Sequence, residues 1–360
     1  MPPAIGNTRR ALFLILSLSV ILLLPVVLPR CLQPSRREFY SRVGWPFGPY
    51  NWLENQIFEE REPVDILIAG SSHIWHGLNA PMLQCELSEH LGRSAVVRTL
   101  GWPWPGYDAL YYITRDLIAH RKVRMLVIYD EPLAPDGWVH RAAHRWYRFQ
   151  DDPGILSEVP IGCAFQLYAA SLLALPQDLL SAIRPSMGPD PSPIARNYWE
   201  RDYCANTSFA QLGSMATRLG YGYRRAFEEF TPPPTRDEAL IYQPETEASF
   251  HFTGEETSAY GNVFLNRIAE MAKAAGIKLV ILHIPTVAER KDGQVTERLC
   301  WPRVLPGRVD LVGIPPVKLF AGLTEDEVKR LYYAPDHFNA NGQPFFTAAV
   351  APTLIRIYDK

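Results

Sequence analysis

Nine residues constrain this chain more than any others: Asp65-Ile66-Leu67-Ile68-Ala69-Gly70-Ser71-Ser72-His73. An apolar run of this length, ending abruptly in glycine and two serines, reads as a parallel strand buried on both faces. Its carboxyl end opens onto a turn, and ligands of open α/β sheets gather at such ends. A serine there presents its hydroxyl beside the amino end of the next helix, where N–H groups without intrahelical partners can hold an oxyanion. Ser72 is therefore the candidate nucleophile. The plain reading of Gly-Ser-Ser as a capping turn without chemistry stands beside it, so the rest of the chain must decide.

Downstream, Pro81 to Leu91 reads as a helix and Ser94 to Leu100 as a second strand, followed by Gly101-Trp102-Pro103-Trp104-Pro105-Gly106. Glycines just past a strand permit close backbone approach, which makes Gly101 and Gly106 candidate oxyanion donors; the alternative is a tight turn. Asp108 to His120 carries Leu110, Ile113, Leu117 and Ile118 at helical spacing and leads into a third strand, Arg124 to Tyr129. This βαβαβ order implies a parallel sheet with right-handed crossovers.

From Pro132 the alternation is lost in a proline- and aromatic-rich insertion, with Arg184 to Pro193 and Thr231 to Arg236 as its loops. Within it, Cys163 to Ile183 is apolar apart from Gln166, Gln177 and Asp178 and is interrupted by Pro176. It reads first as a buried cap helix, and alternatively as a segment that rests on a membrane or receives a lipid-linked donor. Regular order returns with a helix from Thr257 to Ala275, striped by Phe264, Ile268, Met271 and Ala275 and closed by Gly276. Strands follow at Lys278 to Ile284 and Val309 to Ile314, then a short helix at Glu325 to Tyr332 and a closing helix from about Pro344 to Ile357.

The loop before that last helix, Ala334-Pro335-Asp336-His337-Phe338-Asn339-Ala340-Asn341-Gly342, holds the second half of the chemistry. A serine hydroxyl is a poor nucleophile at neutral pH and needs a base within hydrogen-bond reach and a group to orient that base. His337 is the candidate base and Asp336 the candidate orienting acid. His73, Trp75, Trp102 and Trp104 are candidates to line the substrate site, the tryptophans by stacking on sugar rings or else as core. Asp130 and Glu131, at the end of the third strand, either orient a reacting group or are simply solvated. The pairs His73/His76 and His140/His144 have helical metal-ligand spacing, but no third ligand motif accompanies them, so neither metal nor cofactor is expected.

The amino terminus adds a location. Ala11 to Pro29 is apolar, uncharged and long enough to cross a bilayer, with Arg9 and Arg10 before it and Arg30, Arg36 and Arg37 after it, so the positive-inside count does not by itself set the orientation. Leu28-Pro29-Arg30-Cys31 offers no small-residue cleavage site, so an uncleaved signal-anchor is expected, with the bulk of the chain outside the cytoplasm. The resulting plan is a tail (1–10), the membrane segment (11–29), a collar with Trp45, Phe47, Tyr50 and Trp52 (30–61), the first half of an α/β domain (62–131), an insertion (132–250) and the second half (251–360). The formal net charge of −2 with interspersed signs excludes a nucleic-acid footprint. Cys31, Cys85, Cys163, Cys204 and Cys300 form no Cys-x-x-Cys pair, which argues against thiolate metal sites and leaves disulfides open in an exported domain.

Together these residues resemble the SGNH or GDSL hydrolase superfamily, especially its membrane-anchored extracytoplasmic branch of acyl-transfer proteins. Val64 to His73 is similar to the first block, although Ser71 stands where the eponymous motif has aspartate. Thr99-Leu100-Gly101 is similar to the second, and Asp336 to Gly342 to the last. The family's aspartate three residues before the histidine is Ala334 here, with Asp336 adjacent to His337 instead, and the third block's asparagine is absent from Tyr129-Asp130-Glu131-Pro132. The resemblance implies a three-layer α/β/α fold with a parallel, flavodoxin-like sheet, interrupted by the large insertion and anchored by a transmembrane helix. It implies a serine-dependent O-acyl, most simply O-acetyl, transferase or esterase acting on a cell-envelope or secreted polysaccharide. A membrane protein would supply the acyl donor. The alternatives are a catalytically silent relative that binds glycan or a biosynthetic partner, and a lipid esterase.

Overall fold

The computed structural model describes residues 8–32, 34–40, 50–102, 104–129, 139–183, 240–241, 258–287, 309–334, 336–339 and 341–360. Besides several short helices, the main ones are α1 (Thr8–Leu32), α2 (Ser72–Gly77), α3 (Ala80–Leu91), α4 (Tyr107–His120), α5 (Ile161–Ile183), α6 (Ala259–Ala274) and α7 (Gly342–Asp359). The strands are β1 (Val64–Ser71), β2 (Val97–Trp102), β3 (Val123–Tyr129), β4 (Leu240–Ile241), β5 (Lys278–Leu282), β6 (Asp310–Gly313), β7 (Tyr332–Ala334) and β8 (His337–Phe338).

The main sheet has the order β2-β1-β3-β5-β6-β4, parallel throughout except for β4, which pairs antiparallel with β6. Counting only the parallel strands the order is 2-1-3-4-5, which reverses direction between β1 and β3 and leaves a crevice at their carboxyl ends. All eight residues of β1 are buried, as a strand with a helix layer on each face must be. Its side chains alternate accordingly. Leu67 and Ala69 join the core beneath α4 and α6, whereas Ile66 and Ile68 join the core beneath α3 and α7.

The five expected parallel strands form. The second begins later than expected, at Val97, because the backbone N–H of Val96 is taken by the Asp65 carboxylate; it continues through Gly101 and Trp102, which ladder against Gly70 and Ser71. The helix expected over Glu325 to Tyr332 stops at Lys329, after which the chain turns into the β7–β8 hairpin; a Thr324–Glu327 capping box fixes its start. Within the expected insertion the described residues include β4, an edge strand of two residues that no local pattern announces.

The long apolar segment is the clearest correction. α5 is a single helix, but not a buried cap: Ile161, Phe165 and Leu173 are 77%, 72% and 69% exposed. Its inward face packs on the core through Cys163, Leu167 and Ala170. Asp178 also points inward, accepting from Arg148 Nε at 2.8 Å and Nη2 at 2.6 Å.

α1 is long and apolar enough to span a membrane; most of its side chains are exposed, while its carboxyl-terminal part, from about Leu22, lies against α5. The segment after it is clamped down. Arg36 forms a two-pronged pair with Asp116 of α4 at 3.0 and 2.6 Å and also donates to Asp151 and to the Trp146 carbonyl. Tyr40 donates to the same Asp116 carboxylate at 2.5 Å. Of the collar aromatics, Tyr50 is fully buried; Trp45 and Phe47 lie outside the described residues, as do Asp130, Glu131, Cys204, Cys300 and the two insertion loops. Cys31 and Cys85 are exposed free thiols, and Cys163 is buried and free.

Candidate active site

The turn after β1 is built residue by residue for its position. Gly70 has φ +155°, and a Cβ there would lie 2.9 Å from Ile74 and 3.2 Å from the Tyr129 ring, so only glycine fits without strain. Ser71 is the N-cap of α2, its hydroxyl accepting from the His73 N–H. The same hydroxyl lies 2.5 Å from the Tyr129 hydroxyl at the end of β3. Ser72 is thereby the first residue of α2, at the carboxyl end of a central strand. First-turn N–H groups have no intrahelical acceptor.

The second half arrives 265 residues later. His337 Nε2 lies 2.9 Å from Ser72 Oγ, and Asp336 Oδ1 lies 2.7 Å from His337 Nδ1. If Nδ1 carries the proton and donates it to Asp336, Nε2 is left as the acceptor for the serine hydroxyl. Burial pushes the Asp336 carboxyl up, but its hydrogen bond and proximity to His337 outweigh this and hold it below the usual carboxylate range. A hairpin places the pair. Asn339, buried at its base, receives the N–H groups of Asn341 and Gly342 and donates to the carbonyls of Arg330 and Tyr332.

Two further imidazoles wall the site. His73 stacks on Tyr129 with ring centroids 5.0 Å apart and donates from Nε2 to the Ile284 carbonyl at 3.1 Å. Burial, and then the neighbouring His337, push its pKa down to about 3. His76, packed edge-on to His337 at 5.4 Å, is likewise pushed well below the ordinary histidine range by burial. With the charged form disfavoured in both rings, neither sets a like charge against the imidazolium that His337 forms when it takes a proton.

The remaining candidates divide. Trp75 is buried and stacks on His76 at 5.2 Å, close to the site but with little open face. Trp102 is fully buried in the core, and its indole N–H has no partner among the described residues; the stacking role considered for it is not available to a ring with no exposed surface. Trp104, half-buried, meets His140 edge-on and lies under Arg141. Gly101 sits in the β2 ladder beside Gly70, where a Cβ would come within 2.8 Å of the Trp75 Cβ; its visible role is to admit that side chain. Gly106 precedes α4, packed against Asp108 and His140. His140 uses both ring nitrogens internally, toward the Trp104 carbonyl and the Ala142 N–H. Among the described residues no three His, Cys, Asp or Glu side chains gather as metal ligands.

Three residues of the site went unnoticed in the sequence. Tyr129 supports Ser71 and His73, Asn339 ties the hairpin, and Gln343 of α7 donates to the Trp75 and Leu78 carbonyls at either end of α2's last turn. Only Tyr129 carried a signal, as the last residue of the strand that must neighbour β1. No protein-family model, curated protein or solved structure matches the chain.

Proposed function

We propose that the protein is a membrane-anchored serine acyltransferase or esterase of the SGNH type, with Ser72 as nucleophile, His337 as base and Asp336 as the acid that orients it. One observation carries this reading: the unbroken relay from Ser72 Oγ through both nitrogens of His337 to Asp336, at the carboxyl end of β1. Ser72 Oγ attacks the acyl carbon while His337 Nε2 takes its proton. The tetrahedral oxyanion lies against the Ser72 N–H. His337 then passes the proton to the leaving oxygen as the C–O bond breaks, leaving an acyl-serine. An acceptor hydroxyl repeats the sequence in reverse, losing its proton to Nε2 and taking the acyl group.

Water and a sugar hydroxyl differ only as acceptors. Anchorage through α1, with the domain outside the cytoplasm, favours transfer between a membrane-supplied donor and an envelope or secreted polysaccharide. The test is p-nitrophenyl acetate turnover by the full chain in detergent, compared with folded Ser72→Ala and His337→Ala forms. Turnover lost in both variants supports the reading. Equal background in all three, together with inertness toward a serine-directed fluorophosphonate, favours a catalytically silent binding protein.

A further inference from the structure

We propose that the outward face of α5 is immersed in lipid beside α1, so that the domain sits partly in the bilayer. This inference rests on the reading of α1 as a membrane span. Along α5 the exposed positions Ile161, Phe165, Ala169, Leu173, Pro176 and Leu180 recur every three or four residues and form one continuous apolar stripe. A helix on a water-facing surface carries its polar residues outward. α5 instead turns its one charged residue, Asp178, inward onto Arg148 and buries Ser171, leaving Gln166 as the exposed polar residue beside an otherwise apolar outward face.

What covers the stripe follows from its neighbour. α5 packs along α1, where Pro25 and Pro29 are buried and the Tyr168 hydroxyl donates to the Leu22 carbonyl. Leu22 is seven residues before Pro29, where the apolar segment ends, about 10 Å along the helix axis, and therefore well inside a hydrocarbon layer about 30 Å thick. An element that touches Leu22 shares its depth. The Arg36–Asp116 clamp holds the segment after α1 to α4, so the contact cannot be relieved by swinging the domain away. A tyrosine hydroxyl at that depth needs an acceptor within the protein, and the Leu22 carbonyl is one. Acyl chains are the occupant that matches both the stripe and its depth.

The test uses the full chain in vesicles of phosphatidylcholine and phosphatidylglycerol, with an environment-sensitive fluorescent amino acid at position 165 or 173. Position 16 on α1 and position 325 on the far side of the domain serve as references, and each form is first shown to unfold at the parent's midpoint. Immersion predicts that 165 and 173 are quenched by doxyl-labelled acyl chains as 16 is, and by aqueous iodide several-fold less than 325. Iodide quenching at 165 and 173 equal to that at 325 overturns the proposal. So does shielding from both quenchers, which would mean that protein covers the stripe. Iodide access at position 16 as well would remove the span itself, leaving the assignment of Ser72 and His337 untouched.

Discussion

Ser71 and Tyr129, the last residues of adjacent parallel strands, meet hydroxyl to hydroxyl at 2.5 Å directly behind the candidate nucleophile. Because Ser71 also caps α2, this bond sets the angle at which Ser72 leaves the strand. Tyr129→Phe removes it while preserving the ring on which His73 stacks. A stability loss of about 1 kcal/mol is expected, with a fall in kcat toward p-nitrophenyl acetate and little change in KM. Unchanged kcat in a folded Tyr129→Phe protein would show that Ser71 alone orients the turn.

Asp336 sits next to His337 in sequence yet reaches its Nδ1. Asp336→Asn keeps the shape but allows the amide to present N–H to Nδ1 and so favours the wrong tautomer. Turnover should fall by about 10² to 10⁴-fold, with the unfolding midpoint scarcely moved. An Asp336→Asn protein as active as the parent would exclude this carboxylate from the relay.

The buried histidines link stability to acidity. The His73 pKa is depressed in the native protein to about 3, from 6.5. Between those values the unfolded chain binds a proton that the native chain does not, so stability rises with pH and is lost as pH falls below about 6.5. The slope from His73 approaches about 1.4 kcal/mol per pH unit, and His76 adds in the same direction. Urea unfolding at pH 7 and pH 5 should show a steeper loss for the parent than for His73→Gln. Parallel pH profiles would contradict the burial assigned to this ring.

Arg148 and Asp178 form a pair with side chains only 1% and 2% exposed, tying α5 to the segment beneath it. Removing one partner leaves a buried charge alone, so Asp178→Ala should cost about 3–5 kcal/mol. The double change Arg148→Met with Asp178→Leu should recover most of that. A single variant within experimental error of the parent in chemical denaturation would sink this assignment.

The positions of Ser72 and His337 were legible because each follows from a local pattern: an apolar run stopped by Gly-Ser-Ser, and a polar loop before the closing helix. That Asp336 reaches Nδ1 was not, because it depends on how the β7–β8 hairpin folds a neighbouring residue back, which sequence spacing does not encode. The environment of Trp102 is equally non-local, since a tryptophan after a strand reads the same whether it faces a ligand or a core. α5 defeated periodicity for another reason. It is apolar on nearly every side, and such a helix has the same pattern in a core or against lipid. The strand order that puts Tyr129 behind Ser71 required the whole sheet.

The most direct test of the central claim is the mass of the chain after treatment with a fluorophosphonate, followed by peptide mapping. A single covalent adduct on Ser72, formed by the parent and greatly slowed in His337→Ala and Asp336→Asn, is the predicted result. No adduct on a folded parent, or an adduct at another serine formed at the same rate in all three proteins, would contradict the assignment.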